Sequence, residues 1–363
     1  MQKYIINKEL SAKVLMAGNY YKHHHPGGIS AVVQYWNQYI ENLQYYPTYK
    51  LSNVFVRVGW FAYSYVKLAL RMLTDKNVKV LHLHTAADGS FWRKSLLVSL
   101  GHRMGRKVVL HVHASRFKDF YNEASPKVKQ RMLKTLNSVD VLIVLSHSWK
   151  EWFASLGIPK DKIVILHNIT SYPTKIESAR VNDGKVHFLF MGEIGQRKGV
   201  FDILRALTKR RDELAGKIEL KIGGNRHEEE LKKAIVAGKL QDIVKFEGWV
   251  GGEKKLQLLN WADVFILPSF NEGLPISILE AMSYGHPIIS TPVGGIPEVV
   301  ETEKNGILVT PGKEEEIFAA MNYYVENQDK IVSEGEVSKE VAQTYLPDYV
   351  LNHLKEIYET LIS

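Results

Sequence analysis

The chain has 363 residues, which at roughly 150 per domain corresponds to two domains. With 45% hydrophobic and 24% charged residues the composition is that of a globular protein, and the absence of cysteine excludes disulfides, thiolate metal sites and cysteine nucleophiles. The net charge of +8 hides an asymmetry: 25 Lys and Arg face 9 Asp and Glu through residue 175, a net +16, and the remainder is −8. A half that basic points to an anionic partner, whether nucleic acid, a membrane surface or an acidic substrate.

No apolar run stands before a small-residue cleavage site near the first residue, and no stretch reaches about 18 apolar residues. A cytoplasmic protein, at most peripheral at the inner face of the membrane, is therefore expected. In chain order, apolar β-branched runs predict strands at 13–18, 78–84, 107–113, 139–146 and 162–167. Helical patterns fall between them at 29–42, 61–73, 90–104, 127–136 and 149–156. After a polar break at 171–184 the rhythm restarts. Strands are expected at 186–191, 218–222, 244–247, 264–267, 287–290 and 306–309. Helices are expected at 201–209, 228–237, 253–260, 276–284 and 314–326, and an amphipathic helix at 347–362 ends the chain. Such alternation predicts α/β architecture with parallel sheets in two Rossmann-like domains, 1–172 and 183–345, with 346–363 able to complete the first.

Glu272 and Glu280 lie eight residues apart where the 264–267 strand gives way to a helix. Pro275 fits a first helical turn, and the N–H groups of Leu274, Ile276 and Ser277 could meet a phosphate. Two carboxylates beside an anion site make sense as acceptors for sugar hydroxyls; alone, the pair reads equally well as a surface loop and an exposed helical acid. Arg197 and Lys198 follow the 186–191 strand in a glycine-rich turn and could neutralise a diphosphate. Gly27 and Gly28 precede the first long helix, where a backbone without Cβ can approach a ligand closely. His111 and His113 share one face of a strand, as do His82 and His84. The adjacent His23, His24 and His25 share no face, so no metal site is expected there.

The segment from Pro268 to Met282 resembles the E-x7-E signature of the retaining nucleotide-sugar glycosyltransferases of family 4, which have the GT-B fold. The likeness runs on through Gly285–Thr291, Gly294–Glu298 and Gly306–Val309. It implies two Rossmann-like domains facing across a cleft, with a C-terminal helix able to cross back to the first. It implies that Glu280 holds the nucleotide ribose, that Glu272 lies by the donor sugar, and that Gly273, Leu274, Ile276 and Ser277 supply backbone contacts to the diphosphate. Lys198 matches the lysine of the family's diphosphate clamp. Glu193 departs from its usual arginine, for which Arg197 is inferred to compensate. Gly27 and Gly28 match the family's glycine pair, His113 its strand-end histidine near the reacting sugar, and Val250 its nucleobase contact.

The implied activity is transfer of a sugar from a UDP- or GDP-sugar to an acceptor hydroxyl with retention, in polysaccharide, glycolipid or other glycoconjugate synthesis. With no D-x-D pair in the sequence, no metal and no other cofactor are expected. The expected partners are the nucleotide-sugar, a saccharide or lipid-linked acceptor and an anionic membrane surface. The alternatives are a GT-B epimerase or hydrolase, a sugar-nucleotide binder without catalysis, and a nucleic-acid-binding protein, for which no signature appears. The aromatic and basic stretch 58–73 reads as a core-facing helix or as one that touches a membrane.

Overall fold

The computed structural model describes residues 4–20, 28–50, 52–113, 115–174 and 183–363, and divides into two compact units. The first is Met1–Ile169 with Pro347–Ser363; the second is Thr170–Leu346.

The first unit opens with the short α1 (Lys8–Ser11), β1 (Val14–Asn19) and α2 (Gly28–Tyr39). There follow β2 (Tyr45–Tyr49), α3 (Val54–Thr74), β3 (Val80–Thr85), α4 (Gly89–Arg103) and β4 (Lys107–Val112). Then come α5 (Phe117–Asn122), α6 (Pro126–Ser138), β5 (Val141–Val144), α7 (His147–Ser155) and β6 (Ile163–Ile165). Its sheet is parallel with order β2-β1-β3-β4-β5-β6. Helices cover both faces of such a sheet, so the inner strands are buried on both faces; every residue of β3 is buried, His82 and His84 among them.

The second unit holds β7 (Val186–Met191), α8 (Val200–Lys209), α9 (Arg211–Leu214), β8 (Ile218–Gly223), α10 (Glu228–Ala237) and β9 (Val244–Gly248). It continues with α11 (Gly252–Trp261), β10 (Val264–Leu267), α12 (Ile276–Ser283), β11 (Ile288–Ser290) and β12 (Gly306–Leu308). It closes with α13 (Glu314–Glu326) and α14 (Gln328–Ala342). This sheet is also parallel, with order β12-β11-β10-β7-β8-β9. The last helix, α15 (Pro347–Ile362), belongs to the first unit, where it meets β3. The expectation of two parallel α/β, Rossmann-like domains agrees with these two sheets.

Helices α1, α5, α9 and α14 lie outside the expected set, and two further elements differ from expectation in ways that bear on function. Strand β2 was not anticipated, because Pro47 removes a ladder donor. The strand lies at the sheet edge, where that loss is tolerated. Helix α3 begins seven residues earlier than the pattern suggested, capped by the Asn53 side chain, which accepts from Val56 N–H. It is not core-facing over most of its surface. Only Ser64, Leu68 and Met72 are buried, while Phe55 is 88% exposed and Val58, Tyr63, Val66, Leu70 and Leu73 are all more than half exposed. The Ser64 hydroxyl and Trp60 indole tie the inner side to the Pro47 carbonyl, each at 2.8 Å.

Candidate functional site

In the second unit the strand order reverses between β7 and β10, and ligands in open α/β sheets sit at the carboxyl ends of strands at such a point. Both loops leaving these strands carry the residues singled out from sequence. After β7 a single 3-10 turn, Gln196–Lys198, ends at Gly199. Gly199 has φ 72°, and a Cβ there would lie 2.1 Å from the Pro268 carbonyl oxygen, so only glycine allows the two loops to meet. Phe270 N–H donates to the Arg197 carbonyl at 2.8 Å and completes the stitch.

This stitch brings Lys198 Nζ to Glu272 Oε1 at 2.5 Å, and the Ser269 hydroxyl donates to the same oxygen at 2.7 Å. Arg197 Nη1 donates to the Asn271 carbonyl at 3.1 Å and lies 3.9 Å from Glu272. Its other terminal nitrogen is 3.8 Å from Glu193, which also pairs with Arg226 at 3.1 Å. Glu193 is therefore doubly compensated, and its carboxylate is drawn towards cations rather than left facing an anion. Gly294 backs the loop: at φ 60° its Cβ would sit 2.0 Å from the Glu272 carbonyl oxygen.

Glu280 is buried on α12 and receives Lys255 Nζ from α11 at 2.6 Å. Pro275 is not inside the first turn as expected. It is the N-cap, extended at φ −71° and ψ 124°, so Ile276 and Ser277 present the first N–H groups of the helix. Gly273 and Leu274 are buried in the loop before it, and Val250 follows β9 at intermediate exposure. Lys255 and Ser269 were not anticipated. Lys255 reads as an exposed helical lysine in the run Glu253-Lys254-Lys255, and only the fold aims it at Glu280.

In the first unit, Gly27 and the three adjacent histidines lie outside the described residues. Gly28 opens α2 and is exposed, with nothing within 4 Å of where a Cβ would stand, so the protein's own packing does not require glycine there. His113 follows the end of β4, and its N–H donates to the Thr85 carbonyl at 2.9 Å. Its ring completes a cluster of four. His84 Nδ1 meets His113 Nε2 at 2.9 Å, His82 Nε2 meets His111 Nδ1 at 3.3 Å, and His82 Nδ1 meets the Tyr358 hydroxyl of α15 at 2.6 Å. Trp36 packs against three of the rings. Burial lowers all four imidazoles, His82 and His113 to about 3 and His84 and His111 well below the usual value, so the cluster is neutral near pH 7. The ring nitrogens of His82, His84 and His111 lie within 4.8 Å of one another, a set able to hold a metal ion that sequence reading did not foresee. Each of these rings already hydrogen-bonds within the cluster.

Comparison with known proteins follows the same division. The family described as "Glycosyltransferase Family 4" matches residues 34–170, and the one described as "Glycosyl transferases group 1" matches 171–340. The chain is similar to the amylovoran biosynthesis glycosyltransferase AmsK of Erwinia amylovora, 27% identical over 235 residues, 61% of this chain and 56% of that one. It is 26% identical over 247 residues to alpha-galactosylglucosyldiacylglycerol synthase of Streptococcus pneumoniae, 64% of each chain. In both cases the match spans less than two thirds of the relative's length. Among solved structures, Anabaena Alr3699/HepE in complex with UDP and glucose superposes with a TM-score of 0.70 at 17% identity, over 97% of this chain and 99% of that one. Sucrose-phosphate synthase (tll1590) of Thermosynechococcus elongatus gives 0.77 at 16% identity, over 96% and 98%. At such identities the likeness establishes the fold.

Proposed function

The chain belongs to the family 4, group 1 glycosyltransferases, and on that premise we propose that it transfers a sugar from a UDP- or GDP-sugar to an acceptor hydroxyl with retention of configuration. The observation that carries the reading is the pairing of Lys198, Glu272 and the start of α12 at the strand-order reversal of the second unit. In this reading Lys198, Arg197 and the first N–H groups of α12 stabilise charge developing on the departing diphosphate. Glu272 with Gly273 and Leu274 meets the donor sugar, Glu280 accepts from the ribose hydroxyls, and Val250 lies against the base. His113, neutral near pH 7, orients by hydrogen bonding rather than by charge. Local cations take the place of a bridging metal, and no cofactor besides the donor is involved. Retention follows from a front-face displacement in which a donor phosphate oxygen accepts the acceptor proton. The relatives named for amylovoran and glycolipid synthesis support a saccharide or lipid-linked acceptor, held by the first unit.

Purified protein should release UDP or GDP from its donor only when a matching acceptor is present, and should do so in excess EDTA. Donor loss without acceptor would favour a hydrolase or epimerase instead. Donor affinity isolates the role of Glu280. Calorimetry on Glu280→Ala should show binding weakened by at least about tenfold, since a buried charged acceptor is lost; unchanged affinity would remove Glu280 from the ribose.

Helix α3 supports peripheral attachment to the inner face of a membrane. Its outer surface is apolar from Phe55 to Leu73, while Arg57, Lys67 and Arg71 flank it. No helix among the described residues is long and apolar enough to cross a membrane. The protein should float with vesicles containing phosphatidylglycerol, and Phe55→Ser together with Val66→Ser should abolish flotation. A stable dimer that disappears with the same pair, without any vesicle binding, would assign the face to a second copy.

A further inference from the structure

Beyond the histidine cluster, the first unit buries positive charge that no carboxylate among its described residues pairs with. Lys94 of α4 has no exposed surface, and its ammonium donates to the Thr48 hydroxyl at 2.7 Å, which in turn donates to the Gly18 carbonyl at 2.9 Å. The partner is neutral. A buried ammonium without a carboxylate is costly, and burial, followed by the neighbouring Arg93, brings the Lys94 pKa down to about 7. Arg93 lies with its guanidinium 4.8 Å from the Tyr49 ring centre and is lowered by burial, with Arg57 of α3 pushing the same way. The Nε atoms of Arg93 and Arg57 are both buried without a hydrogen-bond partner.

Among the described residues no ion pair involves Arg57, Arg93 or Lys94, and Asp88, the acid nearest to Arg93 in sequence, forms none either. The contrast with the second unit is direct: there Arg197, Lys198 and Lys255 each have a carboxylate within 4 Å. Cations that repel one another persist at one place when an anion of matching charge completes them. Planar guanidiniums present paired N–H donors suited to phosphate oxygens.

We propose that Arg93 and Arg57, supported by Lys94, form a binding site for a phosphate or diphosphate group carried by the acceptor. Multiple cations at one spot match a multiply charged anion better than a single carboxylate. Arg57 also sits on α3 between Val56 and Val58, whose side chains are 48% and 64% exposed. One helix thus offers a cation to a headgroup and an apolar face to a chain attached to it, which fits an acceptor that joins a phosphate to a lipid. Naming the anion as part of the acceptor rests on the transferase reading; the site itself does not.

The test uses the full chain carrying Arg197→Ala and Lys198→Ala, which removes both cations of the donor diphosphate site, with inorganic pyrophosphate as the probe in calorimetry. One site per chain is expected, weakened at least about tenfold by Arg93→Ala and by Arg57→Ala and partly kept by Arg93→Lys. Arg57→Ala should melt like its parent, and Arg93→Ala, which loses only the stack on Tyr49, should melt close to it. Unchanged pyrophosphate affinity would overturn the proposal. So would variants that retain pyrophosphate but lose vesicles containing phosphatidylglycerol, which would make the cations a lipid-headgroup contact. Donor binding, measured in parallel with Arg197 and Lys198 intact, keeps the two readings apart: failure of the phosphate site with donor binding preserved leaves the transferase standing.

Discussion

Lys198→Ala is expected to lower kcat by about 10²–10³, the usual loss when one donor to a developing oxyanion is removed. The same change deprives buried Glu272 of its closest cation, although the Ser269 hydroxyl at 2.7 Å and Arg197 at 3.9 Å remain. A stability loss of about 1–3 kcal/mol should accompany it. The two effects are separable. Adding Glu272→Gln removes the stranded charge, so the double variant should recover much of the stability. It should recover none of the rate, since the lysine's role is toward the diphosphate. A kcat within threefold of the parent in Lys198→Ala would leave charge stabilisation to Arg197 and α12 alone.

That pair illustrates what could be read before the fold was known. The alternating strand and helix patterns and the spacing of Glu272 and Glu280 are local properties of the chain, and both survive in the structure. The partners are not local. Lys198 reaches Glu272 across 74 positions and Lys255 reaches Glu280 across 25, and no periodicity encodes either approach. The missed elements have physical reasons as well. Strand β2 is Tyr-Tyr-Pro-Thr-Tyr, and proline there is acceptable only because the strand is at an edge. Helix α14 buries Ile331, Glu334, Gly335, Ser338 and Ala342, a stripe with too few large apolar residues to stand out as periodic. Helix α3 has the opposite character: Leu68 and Met72 join the core, but most of its plentiful apolar residues point outward, which hydrophobicity alone does not reveal.

Lowering the pH should unsettle the first unit well before the second. The four clustered imidazoles have folded pKa values below the ordinary 6.5, so below that pH the unfolded chain binds more protons than the folded one. Their contribution is intact above about 6.5 and drains as the pH falls toward the folded values. For His82, held near 3 by burial, that loss continues as the pH falls from 6.5 towards 3. Lys94, already lowered to about 7, adds to the same trend from higher pH, its stability deficit growing as the pH falls below the ordinary lysine value. In the second unit His187 has the opposite sign. Burial pulls it down, but hydrogen bonds and charge from Asp263 and Asp183, at 3.1 and 3.3 Å, outweigh that and raise it. Its contribution is complete below 6.5 and lost as the pH rises through its folded value. Hydrogen exchange corrected for intrinsic rates should therefore show β3 and β4 losing protection between pH 7.5 and 5.5 while β7 and β10 hold theirs. The docking of α15 should loosen with the first group, because Tyr358 bonds to His82. His84→Gln, which removes one titrating ring, should make the acid limb of a melting-temperature profile shallower; limbs that coincide for parent and variant would show that the cluster does not set the acid stability.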